Sequence, residues 1–408
     1  DVQRTLREEG RGASEGRRSG RLRGLLVAGQ IALCVSLLAG AGLLTRSLLA
    51  LAAAPLGFSP AGVLTATVQL PPGGGYDDPA ARVRFIEQLE QRLRAIPGVA
   101  AAASTGELPT RVMNRNGFAV EGATRRAGEA QPSALFMTVT DDYFRTLGVA
   151  LRAGRVFGPQ DAPDGPPVVV VSERLARRHW PGADAVGKRL RFGGDEAPWL
   201  EVVGVVGDVA SDAGRADPYP AIYLPMRQSP WIGPVVLVRT AGDPAALVAP
   251  LRRAVAAVDP RVPLRDATPM AAIIDADLSG RRLPVLLMSA FGALALVLAS
   301  VGVYAMFAAM AAAREREFGV RVALGARPSG IAALVLRQGG AWMALGLAGG
   351  ALGVVLVSRL VRGLLYGVGA FDPLAVGAAV LLLAVCAALA LAGPVLRATR
   401  VDPIGTLR

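Results

Sequence analysis

A single histidine and two cysteines in 408 residues leave little material for transition-metal or thiol chemistry. His179 alone rules out a site built on two histidines, and a lone surface histidine usually has no special role. Cys34 and Cys386 both fall in long apolar runs, where packed thiols are expected rather than a disulfide. Residues 45–282 contain no cysteine, so cysteine usage is silent on the redox compartment of that segment. A metal there would need carboxylates alone. Its Asp and Glu residues are scattered, with no spacing that suggests a paired acid and base. Ser172 and Ser211 lack a neighbouring base, which leaves open only a triad assembled from distant positions. No catalytic, cofactor or metal residues are expected.

Four long apolar runs carry no charge: Leu25 to Leu44, Leu283 to Ala313, Gln338 to Ser358 and Leu374 to Leu396. Each can cross a hydrocarbon core of ~30 Å, which takes about 20 residues at ~1.5 Å each. They concentrate the 52% apolar content of the chain. A buried helix explains one such run; four with charged flanks read as membrane spans. The second, at ~1.5 Å per residue, would reach roughly 46 Å. That excess predicts a helix whose start projects beyond the lipid as a stalk, with Pro284 as the place for a kink.

Formal net charge is +12, and much of the excess is arginine beside the spans, which favours a membrane surface over nucleic acid. Arg4, Arg7, Arg11, Arg17, Arg18, Arg21 and Arg23 precede the first span. Arg314, Arg316, Arg321 and Arg327 follow the second, and Arg397, Arg400 and Arg408 follow the fourth. The positive-inside rule then puts both termini and residues 314–337 in the cytoplasm and 45–282 outside. Arg359 and Arg362, in the 359–373 loop, run against this pattern, but four spans force that loop outside. The chain begins with Asp1, and residues 1–24 are too polar for a signal peptide. They read as a linker following an earlier part of a longer polypeptide, with trimming of an initial Met as the alternative.

The external segment reads as α+β in two lobes, one from about 58–147 and 233–266, the other inserted between them at about 148–232. Val63 to Leu70 alternates as a strand does, and Val83, Ile86, Leu89 and Leu93 mark one face of a helix over Asp78 to Ile96. Further strands are expected at Val99 to Ser104, Phe118 to Glu121, Leu135 to Thr140, Val168 to Val171, Trp199 to Val209, Ala221 to Leu224, Val235 to Thr240 and Val262 to Arg265. Asp141 is a candidate cap for a helix toward Leu147, and Ser172 for one over Glu173 to His179. Asp243 to Val258 is expected to be helical.

Gly182-x-x-x-x-Gly187-Lys188 nearly matches a phosphate-binding loop. Arg189 stands where Ser or Thr should hold the metal, a helix precedes it and a strand-like run follows. It reads as a turn. Gly346 with Gly350 and Gly349 with Gly353 form two overlapping GxxxG pairs in the third span, which predict close helix packing within the chain or across a dimer. The richest stretch is Arg314-Glu315-Arg316-Glu317-Phe318-Gly319-Val320-Arg321-Val322-Ala323-Leu324-Gly325-Ala326-Arg327. Beyond it, Ile331, Leu334 and Val335 suggest a short amphipathic helix at the membrane surface.

That stretch resembles the segment after the second span in permeases of the MacB/FtsX type, the membrane subunits of ABC transporters. Gly57-Phe58-Ser59-Pro60 with Val63-Leu64 resembles the start of the MacB-type periplasmic core domain. Trp180-Pro181-Gly182 with Val186-Gly187-Lys188-Arg189 resembles a turn of that domain, and Asp402-Pro403-Ile404 with Leu407-Arg408 the usual C-terminal tail. The order of these motifs covers nearly the whole chain.

The resemblance implies a multi-pass protein of the bacterial inner membrane. It implies an ABC ATPase subunit as partner, contacted through Arg314, Glu315, Glu317, Gly319, Arg321, Leu324, Gly325 and Ala326. It also implies a second permease half, fused or as a homodimer, and leaves room for a periplasmic adaptor. The expected function is conversion of ATP hydrolysis on the partner into movement of the periplasmic domain for export. The alternative is a mechanotransmitter that switches an external partner such as a cell-wall hydrolase.

Overall fold

The computed structural model describes residues 2–123, 131–194, 196–211, 218–312, 328–360 and 372–399. The chain divides into two compact units, one of Ala53–Gly280 and one of Asp1–Ala52 with Arg281–Arg408.

The Ala53–Gly280 unit is built on one mixed sheet. In chain order its strands are β1 (Val63–Val68), β2 (Val99–Thr105), β3 (Arg115–Gly117), β4 (Ala119–Val120), β5 (Ser133–Val139), β6 (Leu151–Gly154), β7 (Val168–Ser172), β8 (Arg189–Arg191), β9 (Leu200–Val206), β10 (Ala221–Pro225), β11 (Val235–Thr240) and β12 (Leu264–Pro269). They lie in the order β12-β1-β11-β2-β5-β10-β7-β9-β8-β4, with β3 on β5 and β6 on β9. The segment expected as an inserted lobe is therefore hydrogen-bonded into the same sheet, through the parallel β5–β10 pair.

Period-two side-chain alternation explains why the central strands are apolar on every residue. Val168 and Val170 enter a core that runs beneath both halves of the sheet, together with Met137, Val139, Tyr223, Val235 and Leu237. Val169 and Val171 point the other way, into a core shared with Phe136 and Ile222. Val236 and Val238 likewise face a third core with Leu64 and Val68. One face of the sheet thus has a continuous core and the opposite face has two.

Helices α2 (Pro79–Arg94) and α5 (Val248–Val258) cover the third core with Phe85, Ile86, Leu89, Leu93, Leu251 and Val255. Asp78 caps α2 by accepting from Ala80 N at 3.0 Å, with Pro79 at its first position, where the missing N–H costs nothing. Short α3 (Tyr143–Leu147) seals the continuous core with Tyr143, Phe144 and Leu147. Its capping position is Asp142, one residue later than the expected Asp141, whose carboxylate binds Arg227 instead. Helix α4 (Glu173–His179) starts at Ser172, whose Oγ accepts from Leu175 N.

The other unit consists of α1 (Val2–Ala52), α6 (Met270–Ala312, whose first residues belong to the sheet unit), α7 (Pro328–Leu360) and α8 (Pro373–Thr399). Among the described residues, four stretches are long and apolar enough to cross a membrane: Arg21–Ala52, Met270–Met310, Gly339–Leu360 and Pro373–Ala390. The first is 56% buried, against 17%, 17% and 22% for the others, so α1 is the central helix on which the other three pack. Ile31, Cys34 and Val35 of α1 meet Ala299, Val303 and Phe307 of α6, Val354 of α7 and Leu383 of α8. Both cysteine thiols are free.

Residues 328–337, expected as a separate surface helix, run without a break into the third span. No proline follows Pro328 until the helix has ended, and interior glycines weaken a helix by only about 1 kcal/mol each without stopping it.

Candidate functional site

Helix α7 meets α1 along its glycines. A Cβ at Gly346 would lie 2.8 Å from Ile31, one at Gly350 2.8 Å from Val35, and one at Gly349 3.2 Å from Ala32. At Gly353 it would overlap Ser36 Oγ. All four face the same helix, so backbone approaches backbone and dispersion contacts take the place of side-chain packing. Ser36 fits this seam by bonding its own helix, donating to Ala32 O at 2.7 Å.

The C-terminal end of α1 carries an ion pair. Arg46 binds Asp372, which also caps α8 by accepting from Leu374 N at 2.9 Å and Ala375 N at 3.3 Å. Neither residue was singled out from sequence, because pairing across this distance in the chain leaves no local pattern.

A cleft of about 830 Å³ opens in the sheet unit between α2, the turn from β5 into α3, and residues 156–159. It lies beside the place where β2 and β5 pair only at Thr105 and Val139. Its walls combine apolar groups such as Val83, Phe144, Leu151 and Val156 with a charged network. Arg94 bridges Glu90 at 2.8 Å and Asp142 at 3.1 Å, and Arg145 takes the other Asp142 oxygen at 3.0 Å. Arg227 is held separately, by Glu87 at 2.8 Å, Asp141 at 2.6 Å and the Gly158 carbonyl at 3.3 Å. Gly158 is itself fixed by Asp161, which accepts from its N–H and is clamped by Arg155 through two bonds of 2.7 and 2.8 Å.

Glu90 is the unusual member. It is only 5% exposed, and burial pushes its carboxyl up to about 7. The Thr140 and Ser104 hydroxyls and Arg94 act against that rise, while Asp142 adds to it. Oε2 accepts from Arg94; Oε1 is buried without a hydrogen bond of normal geometry. The sequence did carry a signal for this. Glu90 lies four residues after Ile86 and three before Leu93, inside the apolar stripe that defined the helix.

Gly182 and Gly187, of the phosphate-loop-like pattern, have positive φ (73° and 80°) and sit in the turns between α4 and β8. Arg314, Glu315, Glu317, Gly319, Arg321, Leu324, Gly325 and Ala326, the expected ATPase contacts, lie outside the described residues.

Comparison with known proteins agrees on one family. The MacB-like periplasmic core domain matches residues 25–255, and the FtsX-like permease C-terminal domain matches residues 289–403. Among solved structures, the periplasmic region of MacB from Actinobacillus actinomycetemcomitans is similar at 15% identity and a TM-score of 0.35, covering 54% of this chain and 94% of that one. The extracellular domain of the noncanonic ABC-type transporter YknZ from Gram-positive bacteria is similar at 17% identity and a TM-score of 0.30, covering 48% and 91%. No curated protein matches the chain. Two successive family domains, in the order span, sheet domain and three further spans, account for most of its length, and the chain belongs to the MacB/FtsX family of ABC transporter permeases.

Proposed function

We propose that this chain is the permease subunit that passes the work of ATP hydrolysis, performed on a partner ATPase, to its periplasmic domain for export of a substrate. The supporting observation is α6. It begins directly after β12 and continues as one helix from Met270 to Ala312, so a single hydrogen-bonded element joins a strand of the sheet domain to a membrane span. A helix is stiff along its axis, and a displacement of its membrane part is carried along it rather than absorbed by a loop.

In this reading the stretch that follows α6 is the handle for the ATPase. Glu315, Glu317 and Arg321 supply polar contacts, and Leu324 and Ala326 a close-packed apolar one. Both termini face the cytoplasm, the membrane is the bacterial inner membrane, and a second permease half completes the machine. The glycine seam holds α7 rigidly on α1, which gives the moving helix a fixed mount.

The test is reversal of two charges, Glu315→Lys with Glu317→Lys. Pull-down of the partner ATPase, and stimulation of its hydrolysis, should both fall while membrane insertion is unchanged. Full stimulation by the double variant overturns the coupling assignment.

A further inference from the structure

Two guanidinium groups in the cleft share one carboxylate. Asp142 gives one oxygen to Arg94 and the other to Arg145. Arg145 is bonded there through Nε alone, and its terminal nitrogens carry no bond among the described residues. Arg94 needs a second anion, and Glu90 supplies it. Arg227 already has two, Glu87 and Asp141. When Glu90 is ionised, the group of Glu90, Arg94, Asp142 and Arg145 is neutral. When Glu90 is protonated, it carries one uncompensated positive charge on the wall of an open cleft, next to apolar surface that includes the nearly half-exposed Leu151.

We propose that this cleft binds an amphipathic carboxylate, with its head group on the terminal nitrogens of Arg145 beside Arg94 and its apolar body against Val83, Phe144, Leu151 and Val156, and that protonation of Glu90 opens the site. The terminal N–H groups of one guanidinium, as Arg145 presents them, suit a carboxylate, and the volume is of the order that small-ligand clefts have. The hydroxyls of Ser104 and Thr140 lie beside the Glu90 carboxyl and favour its ionised form as donors, while Ser104 Oγ, which has no other partner among the described residues, has lone pairs to accept the proton's hydrogen bond once Glu90 is protonated. Around Glu90, α2 contributes Arg94 and Glu87, β2 contributes Ser104, the turn before α3 contributes Thr140, Asp141 and Asp142, α3 contributes Arg145, and the β10–β11 connection contributes Arg227. Of these, Arg94 alone bonds Glu90 and also reaches a second carboxylate on the cleft wall, so protonation of Glu90 leaves Arg94 with only Asp142, which it shares with Arg145.

Since Glu90 titrates at about 7, its protonated fraction falls steeply between pH 6 and pH 8. Apparent affinity scales with the fraction of the competent form, so binding should be about tenfold tighter at pH 6 than at pH 8. The probe is 4-phenylbutanoate, which stays ionised over this range. Its binding to the full chain in lipid nanodiscs is read by ligand-observed NMR, with empty nanodiscs subtracted. Glu90→Gln should bind tightly at both pH values. Arg145→Ala, a change at an exposed side chain that leaves the core untouched, should weaken binding about tenfold at both. 4-Phenylbutylamine should not compete.

Competition by octanoate assigns the site to aliphatic acids, and competition by N-acetyl-leucyl-phenylalanine assigns it to peptide C-termini. Failure of both to compete overturns the proposal. It is also overturned if Glu90→Gln keeps the wild-type pH dependence, if Arg145→Ala binds normally, or if the amine competes as well as the acid.

Discussion

Ser36 Oγ occupies the place where a Cβ on residue 353 would have to sit. The contact joins two helices remote in sequence, and it makes the cost of enlarging Gly353 depend on what stands at 36. Gly353→Ala should lower the thermal unfolding midpoint of the full chain in detergent, by an amount equivalent to about 1–3 kcal/mol of overpacking. Adding Ser36→Gly should recover most of that loss. Additive losses in the double variant would show that the two helices do not meet here in the membrane.

Asp372 serves both Arg46 and the first turn of α8, so its removal should cost more than removal of Arg46. Asp372→Ala is expected to be less stable than Arg46→Ala by about 1 kcal/mol, the usual contribution of a helix cap. The two unfolding midpoints, measured side by side, decide this. Equal losses would mean the carboxylate acts only as a counter-ion.

Glu90 makes a pH-dependent contribution with a definite sign. Its folded carboxyl titrates at about 7, above the ordinary 4.5, so the folded state binds more protons than the unfolded state between those values. Stability from this residue is therefore full below about pH 4.5 and is lost as the pH rises toward 7. Glu90→Gln should match the wild type near pH 4.5 and exceed it at pH 8, by a few kcal/mol in order of magnitude. Denaturant midpoints of both proteins across this range provide the measurement, and parallel curves would contradict it.

Glycines with positive φ differ in what surrounds them. Gly57 has φ 75° and a Cβ there would overlap Asp208 O, whereas Gly187 has φ 80° and open space around it. Gly187→Ala should cost only about 1 kcal/mol of backbone strain. Gly57→Ala adds a backbone clash and should be worse by a further ~2 kcal/mol or more. Comparable midpoints for the two variants would contradict this assignment.

Much of the external domain was legible because its strands are short, β-branched and bounded by Gly and Pro. Val63–Val68, Val168–Ser172 and Val235–Thr240 fall where alternation and turn residues place them. Short β3 and β6 carry no such pattern and exist because β5 and β9 offer a free edge. The segment read as an inserted lobe shares one sheet with the segments on either side of it, and sequence did not show that. Chain order shows the insertion, but the hydrogen bonds of the parallel β5–β10 pair join residues far apart in sequence. The cleft was not foreseen for the same reason. Its charges come from α2, the turn before α3, α3 and the β10–β11 connection, and apart from Glu90 each looks like an ordinary surface residue within its own segment.

The spans by themselves settled that this is a membrane protein with one large domain between the first and second helices, because four uncharged apolar runs with charged flanks match the length a bilayer demands and hydropathy is a local property. Local pattern also fixed most strands and the Ser172 cap. Only the tertiary structure decided that α1 is the central helix, that Gly346, Gly349, Gly350 and Gly353 of α7 all turn toward it, and that Glu90 is buried beside Arg94. Each of these depends on which surface meets which, and that is set by packing between segments that the chain order keeps apart.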